Sequence, residues 1–278
     1  MQKFNYHTHT NRCGHAEKDL QDEEYVELFI KKGFNKIAFT DHCPHREVID
    51  KRTNMRMKYS ELEEYLESVK NLKEAYKGII DIESGFEVEY LPGLEDYLLE
   101  LKDKTDKIVL GQHFVYDNNN KDLKIFRRNK EENLFSDEQL LDYANYIKRA
   151  IELKIPDIIV HPDLYMLDRS EFGNIEKQVA EIICKAAEEN NIPLEINLTE
   201  ASMFLINLRD KISYPCKEFW EIASKHNVKV IYGVDAHYRA QINQYEECVK
   251  LVNKIIGEDI VQKLNFCNEN LEVEKECC

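Results

Sequence analysis

Short runs rich in β-branched and apolar residues alternate along the chain with stretches whose apolar residues recur every three or four positions, and this alternation is what most limits the fold. The runs are Lys3–His7, Lys36–Thr40, Ile79–Phe86, Lys107–Gly111, Asp157–Val160, Pro193–Asn197 and Val228–Gly233, which read as strands. Gln21–Lys32, Tyr59–Tyr76, Glu95–Lys102, Asp137–Leu153, Ile175–Asn190, Cys216–His226 and Gln244–Ile256 read as amphipathic helices. A strand that returns through a helix to its neighbour makes a parallel pair, and seven such units are enough to close a barrel. The expected class is α/β, a TIM-barrel-like (β/α)7 architecture.

No linker divides the pattern, so residues 1–265 are expected as a single domain, with 266–278 an acidic tail ending in Cys277-Cys278. The tail reads as a frayed end rather than a metal or redox pair. Asp117–Lys121 and the charged stretch Arg127–Asn133 read as one long polar loop after the fourth strand, a lid or rim. No stretch approaches the roughly 20 apolar residues of a membrane span, and no apolar signal region precedes the first strand. A cytoplasmic location without membrane contact is expected. The eight cysteines form no CxxC pair and are expected to be reduced. A formal charge of −15 argues against a nucleic-acid surface, and it would repel an anionic substrate unless something local reversed the field. Bound divalent metal would do so.

The histidines fall where predicted strands end. His7 and His9 close the first strand as His-Thr-His, and residues two apart in extended chain point to one face. His42 follows the second strand, Glu87 ends the third, His113 the fourth and His161 the fifth, while Asp235 and His237 end the seventh. Parallel strands in a barrel bring these ends to one face. A lone histidine at a strand end is usually a hydrogen-bonded loop residue, but here that reading would have to hold repeatedly. The set suits zinc, iron or manganese, and Glu87 has two oxygens with which to bridge ions. The donors exceed one tetrahedral site, leaving either a multinuclear cluster or a site with outer histidines. His15, just after the first strand, lies close enough to be a ligand, and His45, three residues past His42, reads as a group that either stands behind the ligands or faces substrate. His226 reads as a helix end and is set aside.

In this order the motifs resemble the polymerase and histidinol phosphatase (PHP) superfamily. Arg56-Met57, Tyr59–Tyr65, Gly85-Phe-Glu-Val-Glu-Tyr90 and Gly111-Gln-His-Phe114 resemble its histidinol-phosphatase branch. The resemblance implies a distorted seven-stranded barrel with three divalent ions. His7, His9, Glu87 and Asp235 would hold one, Glu87, His113 and His161 a second, and His15, His42 and His237 the third. The chain departs from the branch after Glu195-Ile196-Asn197: ten residues, Leu198 to Asn207, precede Leu208-Arg209, and Tyr214-Pro215 is followed by Cys216.

The function so implied is phosphomonoester hydrolysis, with histidinol phosphate as leading substrate and broader monophosphate hydrolysis as runner-up. A water deprotonated by bound metal would attack phosphorus in line with the leaving group. His45 or Asp163 would protonate that group, and Arg56, Arg128 or Arg209 would orient the phosphate. Each has a plainer reading, Asp163 orienting His161 or capping a turn and Arg128 a solvated loop residue. An amidohydrolase-like reaction at carbon and a non-catalytic metal protein are the rival classes.

Overall fold

The computed structural model describes residues 1–46, 55–116, 123–126 and 135–273. Eight strands form one sheet in the order β1 (Phe4–Asn5), β2 (Lys36–His42), β3 (Asp81–Val88), β4 (Lys107–Leu110), β7 (Ile158–Ile159), β8 (Leu194–Asn197), β9 (Lys229–Gly233) and β10 (Asn265–Phe266). Every pairing within it is parallel. A bridge between Thr8 and Ala236 brings the two sides together beyond the ends of β1 and β9. Through it the His9 N–H donates to the Ala236 carbonyl and the Ala236 N–H to that of His7, at 3.0 and 3.2 Å.

The longer helices are α1 (Asp22–Lys31), α2 (Leu62–Ala75), α3 (Glu95–Lys104), α4 (Asp137–Glu152), α5 (Asn174–Asn190) and α9 (Tyr245–Ile256), with shorter α6 (Thr199–Leu205), α7 (Lys217–Ala223), α8 (Arg239–Asn243) and α10 (Glu258–Val261). Their apolar faces cover the outside of the sheet. Alternation along the strands divides the core accordingly: Ile37 and Phe39 join the large helix-covered cluster, whereas Ala38 joins a smaller one with Phe4, Tyr6, Val109, Ile158, Val160 and Ile231. The smaller cluster is the barrel interior. Local signals agree with the packing, as at α4, where the Ser136 side chain accepts from the Gln139 N–H and Gln139 returns the bond.

The seven expected strands and seven expected helices all occur, several strands being shorter than their apolar runs. Two features depart from expectation. The long loop after β4 contains a hairpin, β5 (Phe114–Tyr116) against β6 (Leu123–Ile125), which no period-two pattern announces. The eighth strand is two residues, Asn265-Phe266, too short to register as a run, and it crosses the boundary expected at 265. Beyond it Cys267 is buried and donates its N–H to the Val230 carbonyl, and the Tyr6 hydroxyl donates to the Glu269 carbonyl, so this segment covers the interior cluster. Cys277 and Cys278 lie outside the described residues. The six described cysteines are buried and unbridged. No described helix is long and apolar enough to cross a membrane.

Candidate metal centre

Strand register sets the centre of the site. β2 and β3 pair with His42 opposite Glu87, both at the end where the strands run out. Gly111, just past β4, lets Glu87 lie across the mouth: a Cβ there would sit 1.9 Å from Glu87 Oε1 and 2.7 Å from His161 Cε1. Gly233 does the same for Glu195, whose Oε2 would be 1.9 Å from an added Cβ. His161 and Asp235 have φ of 32° and 50°, in the left-handed region that side chains rarely adopt. The backbone turns there to aim donors inward, a strain that packed surroundings must sustain.

The two oxygens of Glu87 face different histidines. Oε1 lies 2.8 Å from His161 Nε2 and 3.5 Å from His113 Nε2. Oε2 lies 2.8 Å from His42 Nδ1, 3.4 Å from His9 Nε2 and 3.6 Å from His7 Nε2. Asp235 Oδ1 approaches the same pair, 3.1 Å from His9 Nε2 and 3.5 Å from His7 Nε2. His237 stacks on His9 at 4.0 Å between ring centroids, and His15 lies 4.5 Å from His237 and 5.2 Å from His42. Every residue expected to bind metal is thus in one cluster, His15 being the most exposed at its mouth.

A test of whether the residues suit metal comes from their unsatisfied atoms. Among the described residues, His7 Nε2, both ring nitrogens of His9, His42 Nδ1, His237 Nε2 and Glu87 Oε2 are buried without a properly aligned hydrogen-bond partner. Orphans of this kind are costly in a dry site. Two ligands about 2.1 Å from one tetrahedral ion stand roughly 3.4 Å apart, the spacing of these nitrogen and oxygen pairs. The donors fit divalent metal.

Residues that sequence reasoning missed hold the imidazoles from behind. His7 Nδ1 lies 3.0 Å from Glu195 Oε2, and Asn197 donates to Glu195 Oε1 and Asp235 Oδ2. His113 Nδ1 lies 3.0 Å from Glu89 Oε1. Asp41 Oδ1 stands 3.6 Å from His9 Nδ1, beyond hydrogen-bond length, and Asp41 accepts from Thr10 and from the His42 N–H. Partners of this kind fix which nitrogen faces the ion. Their signal in the sequence was position alone: each carboxylate sits on a strand or just beyond its end, two residues from a ligand for Glu89 and one for Asp41.

The electrostatics are those of tightly opposed charges. Burial would raise the Glu87 carboxyl, but His42, His113 and His7 outweigh it and hold it well below the usual range. Burial would keep His7 neutral, yet Asp235, Glu195 and Glu87 raise its pKa well above the ordinary value. His42 goes the other way, burial and the neighbouring His9 outweighing Glu87.

The remaining expected residues are placed as follows. His45 Nε2 points at Glu89 from 3.9 Å. Arg56 grips both oxygens of Glu89 at 3.1 and 3.2 Å and donates to the Cys43 carbonyl. Asp163 Oδ2 accepts from the Cys216 N–H and from Trp220 Nε1 at the start of α7, while its buried Oδ1 has no partner, and burial pushes its pKa up to about 7. Arg209 is half-exposed and faces Glu200 at 3.7 Å, away from the described contacts of the cluster. Arg128 lies outside the described residues.

Residues 5–199 match the PHP domain family. The histidinol-phosphatase of Bacillus subtilis (strain 168) is 34% identical over 122 residues, 41% of this chain and 45% of its own length, so the match spans less than half of that relative. A Deinococcus radiodurans protein named "probable histidinol-phosphatase" is 22% identical over 270 residues, covering 91% of this chain and 94% of that one. Among solved structures, a candidate histidinol phosphatase of Listeria monocytogenes superposes with a TM-score of 0.74 at 25% identity, covering 88% of this chain and 99% of that one. The histidinol phosphate phosphatase of Lactococcus lactis, complexed with zinc, L-histidinol and phosphate, gives 0.64 at 15% identity over 99% of each chain, a likeness of fold.

Proposed function

This chain belongs to the PHP domain family, and from that premise we propose that it is a metal-dependent phosphomonoesterase whose substrate is L-histidinol phosphate. The observation that carries the reading is Glu87, whose two buried oxygens face separate groups of imidazole nitrogens, several of them without hydrogen-bond partners. The names of the relatives in Bacillus and Deinococcus support the substrate.

His7, His9, Glu87 and Asp235 would hold one divalent ion, Glu87, His113 and His161 a second, and His15, His42 and His237 a third, with zinc, manganese or iron as the metal. Such ions lower the pKa of water from about 15.7 toward about 7 and offset charge on phosphoryl oxygens. The protein's own part is to keep the donors fixed: Glu195 and Glu89 hold His7 and His113 in orientation. Of the two expected proton donors Asp163 is better supported than His45. Burial favours its protonated form, and Oδ1 is not engaged within the protein. Arg56, clamped by Glu89, is a fixed cation beside His113. Arg209, half-exposed, has its Nε facing Glu200, at 3.7 Å.

The test is phosphate release from histidinol phosphate and from a panel of other monophosphates, by protein stripped of metal and reloaded with manganese, zinc or iron. Metal-restored turnover of histidinol phosphate well above the panel is the expected result. Hydrolysis confined to other esters keeps the chemistry and overturns the substrate, and no release with any of these metals overturns the phosphatase reading.

A further inference from the structure

We propose that the sulfur of Cys13 is a ligand of the third ion beside His15 and His237, so that this position is a mixed thiolate–imidazole site. The inference rests on the metal-centre reading above and adds a residue to it.

Cys13 ends the single helical turn Asn11–Cys13 that follows β1, and it is fully buried. Its Sγ, a ring nitrogen of His15 and a ring nitrogen of His237 all lie within 4.8 Å of one another, close enough to share one ion. A second observation points to a ligand there. His237 is only 8% exposed, yet its Nε2 has no hydrogen-bond partner, while its Nδ1 is near the Asp235 carbonyl at 3.0 Å. His15 is arranged likewise: Nδ1 is 3.2 Å from the Cys13 carbonyl, leaving Nε2 to bind.

The local chain builds this arrangement. Gly14 takes φ of 83°, which a side chain would resist, and folds His15 back beside the cysteine. On coordination the S–H proton passes to solvent as the sulfur–metal bond forms. A soft sulfur donor would favour zinc or iron over manganese at this one position.

The experiment uses the full chain carrying Cys277→Ser and Cys278→Ser, so that terminal thiols contribute nothing, stripped of metal and reloaded with cobalt(II). Visible ligand-field bands together with a sulfur-to-cobalt charge-transfer band in the near ultraviolet are expected. Adding Cys13→Ser should abolish the charge-transfer band and retain visible bands. A charge-transfer band that never forms, or that survives Cys13→Ser, overturns the role of Cys13 and leaves the metal centre standing. Absence of any visible cobalt band overturns the metal centre itself. If Cys13→Ser does not fold, zinc-edge X-ray absorption of the parent answers instead: a sulfur neighbour at about 2.3 Å is expected, and a shell of nitrogen and oxygen alone overturns the proposal.

Discussion

Glu89 keeps its charge while only 1% exposed because Arg56 and the imidazoles of His113 and His45 surround it; burial would raise its pKa, and these neighbours bring it well below the ordinary value. It serves two purposes, balancing Arg56 and orienting His113. In Glu89→Gln, Arg56 loses its bidentate pairing with the Glu89 carboxylate, and removing one member of such a buried pair costs about 3 kcal/mol. The same change should weaken metal binding by roughly 10–100-fold, the usual effect of losing a partner that orients a ligand. Denaturant midpoints and metal titrations of Glu89→Gln beside Glu89→Asp would check both, and unchanged metal affinity would remove the orienting role. His226 offers a test of charge alone. Partial burial opposes its protonation, but hydrogen bonds to Glu188 and Glu181 prevail and raise its pKa. Its stabilising effect is therefore complete below about pH 6.5 and disappears as pH rises through the raised value. Comparing His226→Gln with the parent by denaturant melts should show a loss of at most about 1 kcal/mol at acidic pH, since the carboxylates are exposed and screened, and none at alkaline pH.

At the scale of elements, the ends of the strands matter more than their bodies. β4 positions nothing at its own centre, yet the glycine that follows it makes room for the Glu87 carboxylate. In Gly111→Ala the methyl group would drive Glu87 off the cluster while leaving the strand pairings untouched. The expected result is at least tenfold weaker metal binding with native circular dichroism, and a variant that bound metal normally would show that Glu87 is not held as inferred. These ends were legible in the sequence because each fully buried strand is a short apolar run and the first polar residue after it stands out, as in Val160-His161 or Gly233-Val234-Asp235. The hairpin Phe114–Tyr116/Leu123–Ile125 was not legible, its second strand Leu-Lys-Ile being half-buried and set in a polar stretch. Asn265-Phe266 was hidden for another reason. Two residues show no periodicity, and only the free edge of β9 makes a strand of them.

Taken whole, the molecule gathers carboxylates and histidines into one buried face of a chain that already carries a formal charge of −15. Such a face folds at an electrostatic and desolvation cost that divalent cations relieve. Metal should therefore stabilise the native state: at a free concentration one hundred times the dissociation constant, a single site adds about 2.7 kcal/mol. Thermal melts with and without chelator should show a rise in midpoint on reloading, and an unchanged midpoint would deny the cluster a metal of appreciable affinity. The alternation of apolar runs and amphipathic stretches determined by itself the parallel barrel, and the placement of His7, His9, His42, Glu87, His113, His161, Asp235 and His237 at strand ends determined that one face would carry them, since both follow from local periodicity. Only the tertiary structure decided the rest. That Asp41, Glu89 and Glu195 stand behind the imidazoles, that Arg56 answers to Glu89, and that Cys13 lies beside His237 depends on which side chains meet between segments far apart in the chain, and spacing along a sequence carries no information about such meetings.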